Sequence, residues 1–214
     1  MLNIKVIQCN MLAENCYIVN NDNNECIIID CGAYGEVEYS YIKQYISEKN
    51  LTPKMHLLTH GHFDHIMGAK WVYETYGCSP TLCSEDVTIY NNFKEETKNF
   101  GFAIDYDLPP VGHCLNDGDT ITFGDYCTFN VIHTPGHSRG SVVFYCASEH
   151  LAFTGDTLFR NSIGRTDLPG GSMFQIINSL RKLTQLPDDT TVYPGHGDKT
   201  SIGYELATNP YLDR

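Results

Sequence analysis

Thr59-His60-Gly61-His62-Phe63-Asp64-His65 places three of the chain's nine histidines within six residues and sets an aspartate beside the last of them. In extended or loop backbone, side chains two apart project to the same side, so His60 and His62 can reach one cation while Gly61 lets the chain turn. Asp64 and His65 fall at the mouth of a predicted helix, in which Ile66, Ala69, Val72, Tyr73 and Tyr76 recur at helical spacing. From there they can face a second cation. Upstream lies a short apolar strand over residues 55–59. Packing gives little reason for so dense a polar cluster between a strand and a helix, whereas metal ligation does.

Three further residues sit in comparable settings: His137 in Thr134-Pro135-Gly136-His137, Asp156 in Thr154-Gly155-Asp156 and His196 in Pro194-Gly195-His196. Each follows an apolar strand and a glycine, which lets a side chain project from a sheet edge. A single Gly-His pair means little, but three repeats of the design suggest one convergent site. Imidazole with carboxylate and no thiolate suits zinc, with iron or manganese as alternatives.

Around these ligands the chain reads as strands at 4–8, 16–20 and 26–30, a helix from Val37 that ends near Asn50, the 55–59 strand and its helix. Residues 84–112 begin as a helix capped by Ser84 and turn irregular around Pro109 and Pro110. Strands resume at 120–123, 128–132, 141–146 and 151–154, followed by a helix over 172–186, a strand at 191–193 and a short helix that stops before Pro210. No linker divides this order. One catalytic domain over residues 1–214 is expected, since the length suits a single α/β core.

Acidic residues outnumber basic ones by 26 to 14, for a formal net charge of -12. Without a run of Lys and Arg interleaved with aromatics, such a surface repels polyphosphate, and nucleic acid is not expected as a partner. No apolar run approaches the ~18 residues of a membrane span. Residues 1–10 read as a first strand, not a signal peptide, so a cytoplasmic protein is expected. The nine cysteines are odd in number and lack C-x-x-C spacing, which predicts buried thiols in a reduced core.

The ligand pattern, together with FTGDTLFRNSIGRTDLPGG at 153–171 and YPGHGDKTSIGYELATNPYL at 193–212, resembles the metallo-β-lactamase-fold hydrolases, specifically their glyoxalase-II-like branch. The resemblance spans nearly the whole chain. It implies a four-layer αββα sandwich with the metals at one sheet edge. It further implies that His60, His62 and His137 hold one divalent ion, that Asp64, His65 and His196 hold a second, and that Asp156 bridges them. β-Lactamases with a cysteine ligand lack the Asp64-His65 pair, and the RNA-processing branches carry domains or basic elements not seen here. The rival reading is a mononuclear-iron persulfide dioxygenase, which shares the fold and the Gly164-Arg165 loop. A hydrolase of another ester or a lactone is also open.

For the hydrolase, the expected nucleophile is a hydroxide bridging two cations about 3.5–4 Å apart, which together lower the pKa of a shared water toward ~7. Asp64 would orient it and accept its proton. Thioester is the substrate class the branch implies. Three of the five arginines, Arg139, Arg160 and Arg165, follow His137 and Asp156, and Lys199 follows His196. Arg165, Arg139 and Lys199 are therefore expected to meet a small anionic, thioester-like substrate, Arg165 first. The longer glyoxalase II enzymes bind glutathione through a C-terminal helical extension and two tyrosines, for which this chain has Asp167 and Gly197-Asp198 at the matching loops. Other polar residues have plainer readings. His56, His113 and His150 are expected to be structural or solvent-facing. His133 is a lesser candidate for bracing a ligand, and Asp30 either caps a turn or orients a ligand histidine.

Overall fold

Two strands that are buried on both sides organise the N-terminal part. The computed structural model describes residues 1–102, 104–124 and 127–212, so Asp213 and Arg214 of the expected single domain lie outside the described residues. β1 (Asn3–Cys9) pairs antiparallel with β2 (Glu14–Asn20), which pairs antiparallel with β3 (Glu25–Ile29). The polar turn between β2 and β3 is held by Asn21, whose Oδ1 accepts the backbone N–H groups of Asn23 and Glu25 at 3.0 Å each. From β3 the chain crosses through α1 (Glu36–Glu48) to the parallel β4 (Thr52–Leu57), then through α2 (Phe63–Ile66) and α3 (Ala69–Tyr76) to the parallel β5 (Pro80–Cys83). With β6 (His113–Leu115) the order is β1-β2-β3-β4-β5-β6. Ile42 and Ile46 of α1 and Val72 of α3 pack with Ile18, Ile28 and Cys26 of the sheet. Each such aliphatic side chain, fully withdrawn from water, contributes about 1.5–3 kcal/mol.

Several boundaries differ from the sequence reading. The strand expected at 55–59 runs from Thr52 to Leu57 and passes through Pro53. The helix expected around 66–76 is two helices, separated at Met67 and Gly68, because the chain there closes on β3's exit loop: a Cβ on Gly68 would stand 2.5 Å from Cys31 Sγ. The helical start read at Ser84 is a 3₁₀ turn, Ser84–Asp86, followed by α4 (Val87–Asn91) and α5 (Phe93–Asn99). β5 and β6 escaped the reading because each is only three or four residues long, too short for alternation to register.

The second sheet is a meander of β7 (Thr120–Phe123), β8 (Cys127–His133), β9 (Val142–Cys146) and β10 (Leu151–Gly155), all antiparallel. Next comes a small hairpin, β11 (Leu158–Phe159) with β12 (Ser162–Ile163), that the sequence did not reveal. α6 (Met173–Leu183), capped by Ser172, leads to β13 (Thr191–Pro194), which pairs parallel with β10, and then to β14 (Thr200–Ser201) and α7 (Ile202–Thr208). The order is β14-β13-β10-β9-β8-β7. Ile176, Leu180 and Leu183 of α6 cover Val143, Ala152 and Val192 of this sheet. The described chain forms two compact units, residues 1–82 with 86–114, and residues 83–85 with 115–214. Among the described residues no helix is long and apolar enough to cross a membrane. All nine cysteines are free thiols, eight of them buried, as the spacing predicted.

His56, in β4, is fully buried, and neither ring nitrogen has a hydrogen-bond partner among the described residues. Burial disfavours the charged ring and pushes its pKa down from 6.5 to about 3. An unfolded chain binds that proton near pH 6.5 while the folded one refuses it until about pH 3. The stability held above pH 6.5 therefore drains by about 1.4 kcal/mol per unit as the pH falls between those values. Denaturant midpoints of metal-free protein from pH 7 to 4.5 should fall less steeply for His56→Leu than for the wild type. Parallel slopes would show that His56 does not set the acid limb.

Candidate metal centre

Asp30, the residue after β3, sits in left-handed backbone at φ 52° and turns its carboxylate onto the ligand loop. Its Oδ1 accepts the N–H of Thr59 at 2.7 Å, and its Oδ2 accepts the Thr59 hydroxyl at 2.7 Å and lies 2.9 Å from His65 Nδ1. Of the two readings the sequence left open, the structure selects the orienting one. The proton logic follows from donors and acceptors alone. A carboxylate only accepts, so His65 Nδ1 carries its hydrogen and Nε2 keeps its lone pair. Thr59 has one hydroxyl hydrogen and gives it to Asp30. The 3.1 Å contact between Thr59 Oγ1 and His60 Nδ1 must then be donated by the ring, which fixes Nε2 of His60 as its free-electron-pair nitrogen too.

The rings of His60, His62 and His65 cluster tightly, with centroids 4.9 Å apart for His60 and His62 and 4.2 Å for His60 and His65. Asp64 Oδ2 is 3.8 Å from His65 Nε2, and all four side chains are buried. Asn10 Nδ2 ties the loops together by donating to Gly32 O at 3.0 Å and Asp64 O at 2.9 Å. Only glycine fits at position 32, where a Cβ would lie 1.9 Å from that Asp64 oxygen. Glu14, fully buried, accepts Gly32 N–H at 2.9 Å with Oε2, while its Oε1 lies 4.0 Å from His65 Nδ1. Burial raises its carboxyl pKa, against the opposing pull of His65. Sequence reasoning missed Asn10, Glu14, Asp86 and Glu96. Glu14 did carry a signal, a charge at the head of a strand that is otherwise apolar or amide-bearing.

In the second unit, Gly136, at φ 138°, brings the backbone against α6, where a Cβ would stand 2.3 Å from Ile176 N. This aims His137, whose Nδ1 lies 2.8 Å from the Arg165 carbonyl. A carbonyl accepts, so in this ring as well Nδ1 holds the hydrogen and Nε2 the lone pair. Asp156 Oδ2 lies 3.5 Å from His137 Nε2 and 3.7 Å from His196 Nε2. Both gaps exceed a hydrogen bond. They match two donors on one tetrahedral ion, which bonds of ~2.0–2.1 Å hold about 3.3–3.4 Å apart. Donor type, spacing and tautomer at these residues therefore fit ligation of a divalent cation.

The basic residues are placed less simply. Arg165 donates through Nε and Nη2 to the two oxygens of Asp167, each at 2.7 Å, on an exposed loop. That pairing holds Asp167 down to about 2. Arg139 is exposed, and its backbone carbonyl lies 2.7 Å from His133 Nε2, so His133 braces the loop after His137. Arg139 borders a cleft of about 500 Å³ that Glu85 and Gln175 also line. Lys199 is exposed. Arg160 sits 5.3 Å over the Tyr204 ring and 3.5 Å from Asp198. His113 is exposed, and His150 pairs at the surface with Asp189 at 2.9 Å, as expected of residues outside the site.

A family model described as the metallo-beta-lactamase superfamily matches residues 10–196. The hydroxyacylglutathione hydrolase GloC of Haemophilus influenzae is 37% identical over 215 residues, which cover 99% of each chain. The crystal structure of BLEG-1 B3 metallo-beta-lactamase superposes with a TM-score of 0.90 at 35% identity, covering 99% of this chain and 100% of that one. The structure of TTHA1623 in a di-iron-bound form gives a TM-score of 0.86 at 36% identity, over 97% of this chain and 100% of the other.

The Asp30 network predicts its own test. Asp30→Ala removes the acceptor that fixes the His65 ring and, through Thr59, the His60 ring, and metal affinity should fall by about 10- to 100-fold. Chelator competition measures it. Wild-type affinity in that variant would mean the tautomers are set by other groups.

Proposed function

The chain belongs to the metallo-β-lactamase superfamily as a metal-dependent hydrolase, and on that premise we propose that its centre is binuclear and its substrate a small anionic thioester. The observation that carries the reading is the Asp156 carboxylate, set beside two imidazole nitrogens at distances suited to a shared cation and not to hydrogen bonds. In this reading the two units act as one catalytic domain. His60, His62 and His137 hold one ion, Asp64, His65 and His196 the other, and Asp156 both. Zinc is the first choice on donor chemistry, and the di-iron relative supports iron as an alternative. When bound, the ions supply a water acidified toward ~7 and an electrophile for the thioester carbonyl.

The protein's own groups do the rest. Asp64 orients the water and accepts its proton. Asp30, Thr59 and the Arg165 carbonyl hold three imidazoles in one tautomer, so no ring has to turn during turnover. The similarity to GloC, a hydroxyacylglutathione hydrolase, supports a glutathione thioester as substrate. The similarity to a B3 metallo-beta-lactamase brings β-lactams into the assay, and the persulfide dioxygenase, with one iron on part of this ligand set, is the competing chemistry.

One experiment separates these readings: elemental analysis of reconstituted protein, run beside a panel of a glutathione thioester, a glutathione-free thioester, a lactone, a β-lactam and glutathione persulfide. Two ions per chain with thioester turnover is expected. One iron per chain with oxygen consumed on persulfide would replace the hydrolase with the dioxygenase. Asp156→Asn should lose metal and rate together, and Asp64→Asn should lose rate strongly. Full metal content and turnover in either would remove that residue from the centre.

Arg165, Arg139 and Lys199 are proposed to meet the substrate's charge, and Asp167 now competes for the first of them. If Arg165 grips a substrate carboxylate, Arg165→Ala raises KM for an anionic thioester roughly tenfold or more and spares a neutral one. Equal losses on both would leave Arg165 as a brace for its own loop and pass the role to Arg139.

A further inference from the structure

Behind the His60-Gly61-His62 turn lie two carboxylates that the ligand reading does not use. Asp86, fully buried at the end of the 3₁₀ turn, accepts the N–H of Gly61 at 2.9 Å. The approach is close enough that a Cβ on Gly61 would stand 3.1 Å from the Asp86 carbonyl and 3.2 Å from Tyr90 N. Glu96, on α5, places Oε1 3.9 Å from His62 Nε2, with only 17% of its side chain exposed. It also takes the N–H of Phe63, at the start of α2. Its Oε2 is buried and has no hydrogen-bond partner among the described residues.

We propose that Asp86 and Glu96 are positioning residues for the candidate ligand pair His60 and His62, Asp86 holding the intervening backbone from behind and Glu96 standing beside the His62 ring. Buried carboxylates are costly unless they are bonded or compensated. Asp86, Glu96 and Asp64 place acidic groups around one loop of imidazoles, and a divalent cation on that loop is the compensation. Asp86 fixes the backbone between the two histidines. Glu96 takes the backbone after them and stands 3.9 Å from Nε2 of His62, beyond a hydrogen bond, where a carboxyl group beside a ligand ring biases its orientation and basicity. The segment 84–99 is, on this account, a scaffold for metal ligation supplied from outside the ligand motif.

The inference rests on the metal-centre reading, and the test keeps the two apart. Zn²⁺ dissociation constants by chelator competition and the visible spectrum of the Co²⁺-substituted protein would be measured for wild type, Glu96→Gln, Glu96→Ala and Asp86→Asn. Glu96→Gln keeps an oxygen for Phe63 N–H and removes the ionisable carboxyl beside His62. It should weaken Zn²⁺ binding roughly tenfold or more. It should also shift the Co²⁺ bands while leaving the thermal midpoint of the metal-free protein in place. Glu96→Ala should weaken binding further; if it does not fold, Glu96→Gln decides. Asp86→Asn, which keeps an acceptor for Gly61, should bind more tightly than Glu96→Ala. Tight wild-type binding with unchanged affinity and spectrum in Glu96→Gln overturns the positioning role alone. A wild-type protein that holds neither Zn²⁺ nor Co²⁺ overturns the metal centre itself.

Discussion

The Asp30 carboxylate is the constraint on which the N-terminal half of the centre depends. Its oxygens take the Thr59 N–H, the Thr59 hydroxyl and His65 Nδ1–H, and they do so from a left-handed residue just after the largely buried β3. Buried as it is, the carboxylate is tolerable because both of its oxygens accept hydrogen bonds. The same contacts fix two imidazole tautomers. Strand β3 therefore places electron pairs, through one carboxylate, two loops away in sequence.

Glycines perform the corresponding task for the backbone. Gly32 lets the exit from β3 lie against the Asp64 carbonyl, and Gly164 lets the loop after β12 lie against the Asp156 carbonyl, where a Cβ would stand 1.8 Å away. At both places the backbone of a candidate ligand aspartate is held by an approach that no side chain would permit. The two units thus reach the same solution with different elements.

Much of this was legible beforehand, and the limits were physical. The ligand motifs stood out because packing alone seldom sets imidazole and carboxylate clusters after strand-glycine junctions, and the strands from 120 to 155 were read nearly to the residue from the Gly, Asp and Pro turns that separate them. Asp30 could be suspected but not assigned, since a turn cap and a ligand brace look alike in one dimension. Asp86 and Glu96 were invisible for a different cause. They lie more than twenty residues beyond the histidines they face, on short helices whose pattern reads as ordinary amphipathic surface. The pairing of Arg165 with Asp167 was foreseeable as an alternative, because the two are separated by one residue on a loop.

The distribution of thiols gives the molecule a built-in reporter. Cys114 is the exposed one, while Cys9, Cys16, Cys26, Cys31 and Cys78 are sealed in the first unit and Cys83, Cys127 and Cys146 in the second. A thiol can be alkylated only when its surroundings open, so the mass added during a brief exposure to a maleimide counts opening events, and the peptide that carries it says where they occurred. One label per molecule is the signature of the closed protein. Labels gained at the first set ahead of the second, or the reverse, would reveal whether the two units open as one cooperative body or as two.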